Sequence, residues 1–313
     1  MTGAVIMGAG PLGRAIAAEI AEAGGTVRVL TRDGRDIGPG ITPVRVDLVD
    51  EAAVIAACDG AETIYQSAAP PYQHWADAFP RLQANALTAA ARTGAVLVAA
   101  ENLYGYGVAG VLHEGLPLRA TTRKGSLRAR LSEDLLAAHA AGTARTVAGR
   151  ASDFVGPGVT LAALGERFWP HVLIGKPVSW FGDPDARHSF TWLPDFATAL
   201  IRLADDPEAW GRAWHVPALP ALTVRELCDR IAEREGLLPP RIRRTPTLML
   251  RAVGLVVPAA GELVEMGYMF DRDFIVDHAA FDARYGPAER TWDEALAEAV
   301  AWWRKEMERR STG

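Results

Sequence analysis

Lysine is almost missing from this chain: of 33 basic residues, only Lys124, Lys176 and Lys305 are lysines. Tyrosine is sparse too, six against nine tryptophans. Cysteine is limited to Cys58 and Cys228, which excludes a disulfide framework and offers no metal-ligand spacing; a reducing, cytoplasmic setting without a metal site is expected. No stretch approaches the ~20 uninterrupted apolar residues of a membrane span. The best candidate, residues 248–260, is interrupted by Arg251 and Pro258 and reads as a core or pocket helix. No basic segment or cleavage site precedes the first apolar run, so no signal peptide is expected. A formal charge of −5 without a sustained basic stripe argues against nucleic-acid binding. What is present is a chain of 313 residues, 49% hydrophobic, enough to bury a large core and incompatible with disorder or a collagen-like repeat.

Short β-like runs alternate with alanine-rich helical stretches over the first half. Strands are predicted at 3–7, 26–30, 43–46, 62–66, 95–99 and 145–149, and helices at 11–24, 51–58, 75–93 and 126–141. This alternation predicts an α/β fold, a doubly wound parallel sheet of Rossmann type covered on both faces. Past Pro157 the pattern turns irregular and richer in Trp and Pro. The expected organisation is a dinucleotide-binding domain over 1–156 and a smaller, interleaved substrate region over 157–313, with the chain returning to the first domain near 188–217.

Gly8-Ala9-Gly10-Pro11-Leu12-Gly13 follows the first predicted strand and opens the first predicted helix. Gly8 permits the tight turn, Gly10 lets backbone approach a pyrophosphate, and Gly13 lets helix pack closely on sheet, while Pro11 and Leu12 begin the helix whose amides face the phosphates. The second strand runs into Leu30-Thr31-Arg32, where an NAD-preferring site usually carries an acid. An arginine there can instead pair with a 2′-phosphate, so NADP(H) is favoured over NAD(H). The alternative is a solvent-exposed loop charge.

With these motifs the chain resembles the extended short-chain dehydrogenases/reductases, the NAD-dependent epimerase/dehydratase family. Asp47-Leu48 resembles its adenine-contacting Asp, Ser67-Ala68-Ala69 its turn beside the cofactor, and Asn85 the Asn of its central helix. Leu103-Tyr104-Gly105 resembles "VYG", and Arg150-Ala151-Ser152-Asp153-Phe154-Val155-Gly156-Pro157-Gly158 resembles "RPxNVYGPG". Later landmarks follow in order from Ser189 to Asp195 and at Trp214-His215-Val216. The resemblance implies a Rossmann fold, a nicotinamide cofactor and, in many members, a dimer through the helices near 75–93 and 126–141, where Trp75, Phe79 and Leu82, and Leu127, Leu131 and Leu135, form apolar stripes. The same stripes would equally cover a sheet.

The catalytic pieces depart from that pattern. The family's usual acid is a Tyr four residues before a Lys, and four residues before the three lysines here stand Ala120, Val172 and Ala301. Ala100 replaces the expected Ser or Thr. Three residues remain as candidates: Glu101, placed like the acid of "TDEVYG" in the family's dehydratases; Tyr104, a nearby phenol; and Lys124, the one lysine near the cofactor helix. Each has a structural alternative, respectively an ordering carboxylate, a packing ring and a surface charge. Asn102, Asp153, Trp169, His188 and Trp192 are the candidates for contact with substrate, His188 and Trp192 replacing the Arg and His of the "RDxxHVxD" pattern. With Trp180, Met249, Met266, Met269 and Phe270, these side chains point to an apolar small molecule; the alternative is that they are ordinary core residues.

The expected activity is NADP(H)-dependent reduction of a carbonyl or activated alkene. Two alternatives stand beside it: a non-redox lyase, isomerase or cyclase with Glu101 as acid/base, and a catalytically silent NADP(H)-sensing binding protein.

Overall fold

Ala4-Val5-Ile6-Met7 is buried along its whole length, as a strand covered by helices on both faces must be. The computed structural model describes residues 3–246 and 264–311. The helix predicted at 248–260, with Met249, lies outside the described residues. The chain divides into two compact units: residues 1–106, 117–151 and 194–216 form the first, and 107–116, 152–193 and 217–313 the second.

The first unit is built on a seven-stranded, wholly parallel sheet. Its strands are β1 (Ala4–Met7), β2 (Val27–Thr31), β3 (Ile41–Arg45), β4 (Thr63–Gln66), β5 (Val96–Asn102), Arg145–Ala151 and Ala213–His215. Across the sheet the order is Ala213–His215, Arg145–Ala151, β5, β4, β1, β2, β3. The direction of winding therefore reverses between β1 and β4, the crevice where doubly wound sheets bind ligands. Helices α1 (Pro11–Glu22), α2 (Glu51–Ala57), α3 (Trp75–Thr93) and α4 (Arg123–Ala140) lie between the strands. On α1, Leu12, Ile16 and Ile20 repeat at helical spacing and are buried, each worth about 1.5–3 kcal/mol of apolar burial.

Two predicted boundaries shift in ways that matter for the site. β5 runs on to Asn102, so Glu101 and Asn102 end the strand and do not follow it. Helix α4 begins at Arg123, because the Thr122 hydroxyl accepts the Gly125 amide (3.1 Å) and caps it; Lys124 thereby falls in the first turn. The apolar stripes of α3 and α4 face each other: Trp75 and Phe79 pack with Leu127 and Leu131 in one buried cluster. These four stripe residues are buried within the unit.

Glu19 of α1 accepts the Thr198 hydroxyl (2.9 Å) from the helix Leu193–Ala204. Burial raises its pKa above 4.5, so the ionised form costs stability above the folded pKa and nothing below the unfolded value of 4.5. Glu19→Gln keeps an acceptor for Thr198 and should modestly stabilise the protein at neutral pH. In denaturant titrations the gain should disappear as pH falls below 4.5.

The second unit holds a four-stranded sheet in the order Leu222–Thr223, Arg187–His188, Phe274–Val276, Gly110–Leu112, and two strand pairs, Asp153–Val155 with Phe190–Trp192 and Val178–Phe181 with Ile242–Thr245. Its core is aromatic, with Phe168, Trp169, Phe190, Trp192, Trp292 and Trp303 all buried.

Candidate functional site

The glycine loop leaves β1 at the reversal of the sheet. Gly8 has φ +109°, and a Cβ on it would stand 2.8 Å from the Cβ of Ala68. A Cβ at position 13 would come within 2.0 Å of the Gly8 carbonyl oxygen and 2.8 Å of Ser67 Oγ. Both glycines are therefore required by the packing of α1 against the loop after β4. Gly10 differs, since a Cβ there would meet nothing within 4 Å. It caps α1 with no side-chain hydrogen bond and no acid in the first turn, so the helix N-terminus offers its amides and partial positive charge to an anion. Ser67 donates to the Met7 carbonyl (3.2 Å) and ties the Ser67-Ala68-Ala69 turn to the end of β1. These residues fit a dinucleotide.

Arg32 follows β2 directly and is exposed. Among the described residues no acidic group pairs with it, while the neighbouring Asp33 is taken by Arg35 (2.6 Å). Asp47 is exposed after β3, accepting the Val49 amide (3.2 Å). Asn85, buried on α3, donates to the Leu48 carbonyl (2.9 Å) and so anchors the loop that presents Asp47.

Glu101 sits opposite Arg150 in the register of β5 and Arg145–Ala151, and Arg150 sits opposite His215 on the next strand. Side chains at paired positions share a face. The result is a buried ionic network: Arg150 Nε donates to Glu101 Oε2 (2.9 Å), Ser132 Oγ donates to the same oxygen (2.9 Å), and Arg150 also donates to Ser132 Oγ (2.6 Å) and Tyr106 Oη (2.7 Å). Tyr106 Oη meets His215 Nε2 at 2.7 Å. Burial alone would lower the Arg150 pKa, but Glu101 and Tyr106 outweigh it and raise it above the ordinary arginine value. Glu101, expected as a candidate acid, is thus engaged as the counter-ion of a buried guanidinium. Asn102, expected to face substrate, uses its Oδ1 to accept the Tyr104 amide (3.2 Å) and orders the next turn.

That turn, Tyr104–Tyr106, lies against the start of α4. The approach depends on small residues. A Cβ on Gly125 would come 2.8 Å from the Tyr104 carbonyl oxygen, and one on Gly105 would come 3.3 Å from Ala129 backbone. Tyr104 Oη lies 3.1 Å from Tyr72 Oη, and the Trp75 ring packs against both phenols, tilted on Tyr72 (4.8 Å between centres) and stacked on Tyr104 (6.2 Å). Lys124, buried, holds its Nζ 5.1 Å from the centre of the Tyr72 ring. One turn further along α4, Arg128 is buried with its guanidinium 4.6 Å from the centre of the Phe79 ring. Burial lowers its pKa from the ordinary arginine value, with Glu101 and Tyr104 acting against the shift and Arg150 with it. Tyr104 and Lys124, expected from the sequence, are therefore gathered at one cluster, linked through Tyr72. Tyr72, Trp75 and Arg128 were missed, although the four-residue spacing of Lys124 and Arg128 on one helix was a readable signal.

The second unit places the remaining candidates differently. His188 Nε2 is 2.8 Å from Asp153 Oδ2, and the imidazole is stacked between Phe270 (5.1 Å) and Phe274 (5.2 Å). His188 is buried by this arrangement, while the Asp153 side chain keeps partial exposure. Trp169 and Trp192 are 0% and 1% exposed within the aromatic core. Trp169 donates to the Leu164 carbonyl (3.0 Å). Both were candidates for substrate contact with core packing as the alternative, and the structure buries them in this unit's aromatic interior. Trp180, Met266 and Met269 are buried as well.

Comparison with known proteins gives the same fold. The model of the NAD dependent epimerase/dehydratase family matches residues 4–216. No curated protein sequence matches this chain. Among solved structures, the Bordetella bronchiseptica enzyme WbmH in complex with NAD+ is 21% identical, with a TM-score of 0.74 over 97% of this chain and 99% of that one. dTDP-glucose 4,6-dehydratase from Bacillus anthracis, in complex with NAD, is 15% identical with a TM-score of 0.79, covering 98% of both chains. UDP-N-acetylglucosamine 4-epimerase from Methanobrevibacter ruminantium, in complex with UDP-N-acetylmuramic acid, is 17% identical with a TM-score of 0.78, covering 98% of this chain and 99% of that one. With the glycine loop at the reversal of a seven-stranded parallel sheet and the family model spanning that whole unit, this chain belongs to the NAD-dependent epimerase/dehydratase family.

Proposed function

We propose that this protein is an NADP(H)-dependent reductase acting on a carbonyl or activated alkene of a small, largely apolar molecule. The observation behind this reading is the pair of hydrogen-bonded phenols, Tyr72 and Tyr104, beside the end of β5 with Lys124 and Arg128 next to them. A reduction needs a proton donor whose conjugate base is tolerated, and buried cations beside a phenol supply that tolerance. NADPH, when bound at the glycine loop, would supply the hydride. Tyr104 would donate the proton to the developing oxyanion, or to carbon in the alkene case. Lys124 and Arg128 would stabilise the phenolate left behind. Tyr72 and Trp75 would give the reacting group an aromatic surround suited to an apolar substrate. A lyase or isomerase using Glu101 is disfavoured by the pairing of that carboxylate with Arg150. A silent sensor would have no use for two hydrogen-bonded phenols gathered with two buried cations.

The test is steady-state NADPH oxidation across a panel of aldehydes, ketones and enones. Saturable NADPH binding without turnover on any of them counts against the reading. The cofactor preference rests on Arg32. A charge-assisted hydrogen bond to phosphate is worth roughly 1.5–3 kcal/mol, so Arg32→Ala should weaken NADPH binding about 10- to 100-fold and leave NADH binding nearly unchanged. Fluorescence titration of both nucleotides checks this, and a wild-type preference for NADH overturns the NADP(H) assignment.

A further inference from the structure

Tyr72 has no counterpart in the sequence reading, yet it is the best-placed partner of the proton donor. It lies in the short turn Tyr72–His74 beyond the end of β4, after Pro70 and Pro71. The turn is fixed at its far end by Trp75, whose indole Nε1 donates to the Pro70 carbonyl (2.8 Å) while its ring packs against both phenols. Proline before the turn and a tethered indole behind it restrict where the Tyr72 hydroxyl can go. It is placed 3.1 Å from Tyr104 Oη. The two phenols differ in access to water: Tyr72 is 38% exposed, while Tyr104 is more buried. Two cations lie at the pair: Lys124, whose ammonium is beside the Tyr72 ring, and Arg128, coupled electrostatically to Tyr104. Both come from α4 and both are cationic.

We propose that Tyr72 is the solvent-side member of a two-phenol proton relay, positioned by Trp75 and electrostatically supported by Lys124, that reprotonates Tyr104 after each turnover. The inference rests on the reductase reading for its place in a reaction, and on geometry alone for the shared proton. Tyr104 gives its O–H proton to the substrate and becomes a phenolate. The O–H proton of Tyr72 then moves across the hydrogen bond to Tyr104, and Tyr72 recovers a proton from water or a buffer acid. One proton is taken from solvent per turnover, matching the hydride that the nicotinamide delivers, and when the charge rests on Tyr72 it lies on the ring that Lys124 faces. Tyr72 acts on the reaction through Tyr104 and is a positioning and relay residue.

Tyr72→Phe tests this while keeping the ring, its packing against Trp75 and its contact with Lys124. Two measurements are required. In the cofactor-free protein, the near-ultraviolet absorbance of tyrosinate against pH should show one phenol ionising ahead of the other tyrosines, because a shared proton and a neighbouring cation favour the phenolate. That low phase should disappear in Tyr72→Phe, in Tyr104→Phe and in Lys124→Met. In the active enzyme, Tyr72→Phe should lower kcat about tenfold with KM for NADPH unchanged, and imidazole buffer should restore part of the loss by supplying the proton directly. A low-pH phase that survives Tyr72→Phe overturns the relay, as does a kcat and pH profile equal to wild type. If no carbonyl or enone is turned over by the wild-type protein, the reductase reading fails, and the tyrosinate titration still decides whether the two phenols share a proton.

Discussion

Tyr104→Phe should lower kcat by about 100-fold or more on whichever carbonyl or enone the wild-type enzyme reduces, in line with the usual contribution of a positioned general acid. The prediction is sharp because the substitution removes one atom and little else. The ring keeps its stacking on Trp75, and the turn keeps its amide bond to Asn102 Oδ1. The hydroxyl's partner is Tyr72 Oη, and NADPH affinity should stay within about twofold, as expected of a group whose interaction develops only in the transition state. Stopped-flow measurement of NADPH oxidation, which separates the chemical step from product release, is the appropriate check. A variant that retains wild-type single-turnover rates removes Tyr104 from the mechanism.

Glu101→Gln should be chiefly a folding defect. The carboxylate is the counter-ion of Arg150 and the nearest negative charge acting on Arg128, and both guanidinium groups are buried. Glutamine keeps the shape but removes the charge, leaving two buried cations facing each other. Breaking one partner out of a buried pair costs about 3–5 kcal/mol, a large fraction of what holds a domain folded. The loss should also loosen the hydrogen bonds that Arg150 makes to Ser132 and Tyr106, because one guanidinium organises all three groups. Urea denaturation followed by tryptophan fluorescence and by far-ultraviolet circular dichroism measures the effect. An unchanged midpoint with abolished turnover would reverse the assignment and return Glu101 to the role of acid.

These two residues show where sequence reasoning is strong and where it stops. The glycine loop was readable because everything it requires lies within a few residues: a strand, three glycines at fixed spacing and a helix start. The departure from the Tyr-x-x-x-Lys pattern was equally local, since three lysines can be checked against three positions. Glu101 was not readable in the same way. Whether its carboxylate is an acid or a counter-ion depends on the register that sets it opposite Arg150, 49 residues later. The helical stripes of Trp75, Phe79, Leu127 and Leu131 were legible as apolar faces, but only packing shows that they cover each other. The tryptophans of the second unit were visible as a cluster in composition, and the structure turns Trp169 and Trp192 into core.

By itself, then, the sequence determined the parallel α/β sheet, the glycine loop and the absence of a Tyr four residues before any Lys, because each follows from periodicity or short-range spacing. The tertiary structure decided which side chains meet beside the strand ends. Tyr72, Tyr104 and Lys124 lie up to 52 residues apart and meet only because the ends of β4 and β5 and the first turn of α4 converge. A hydrogen bond or a cation beside a ring acts over a few ångströms, and distance along the chain says nothing about that until the strands are in register and the helix is packed.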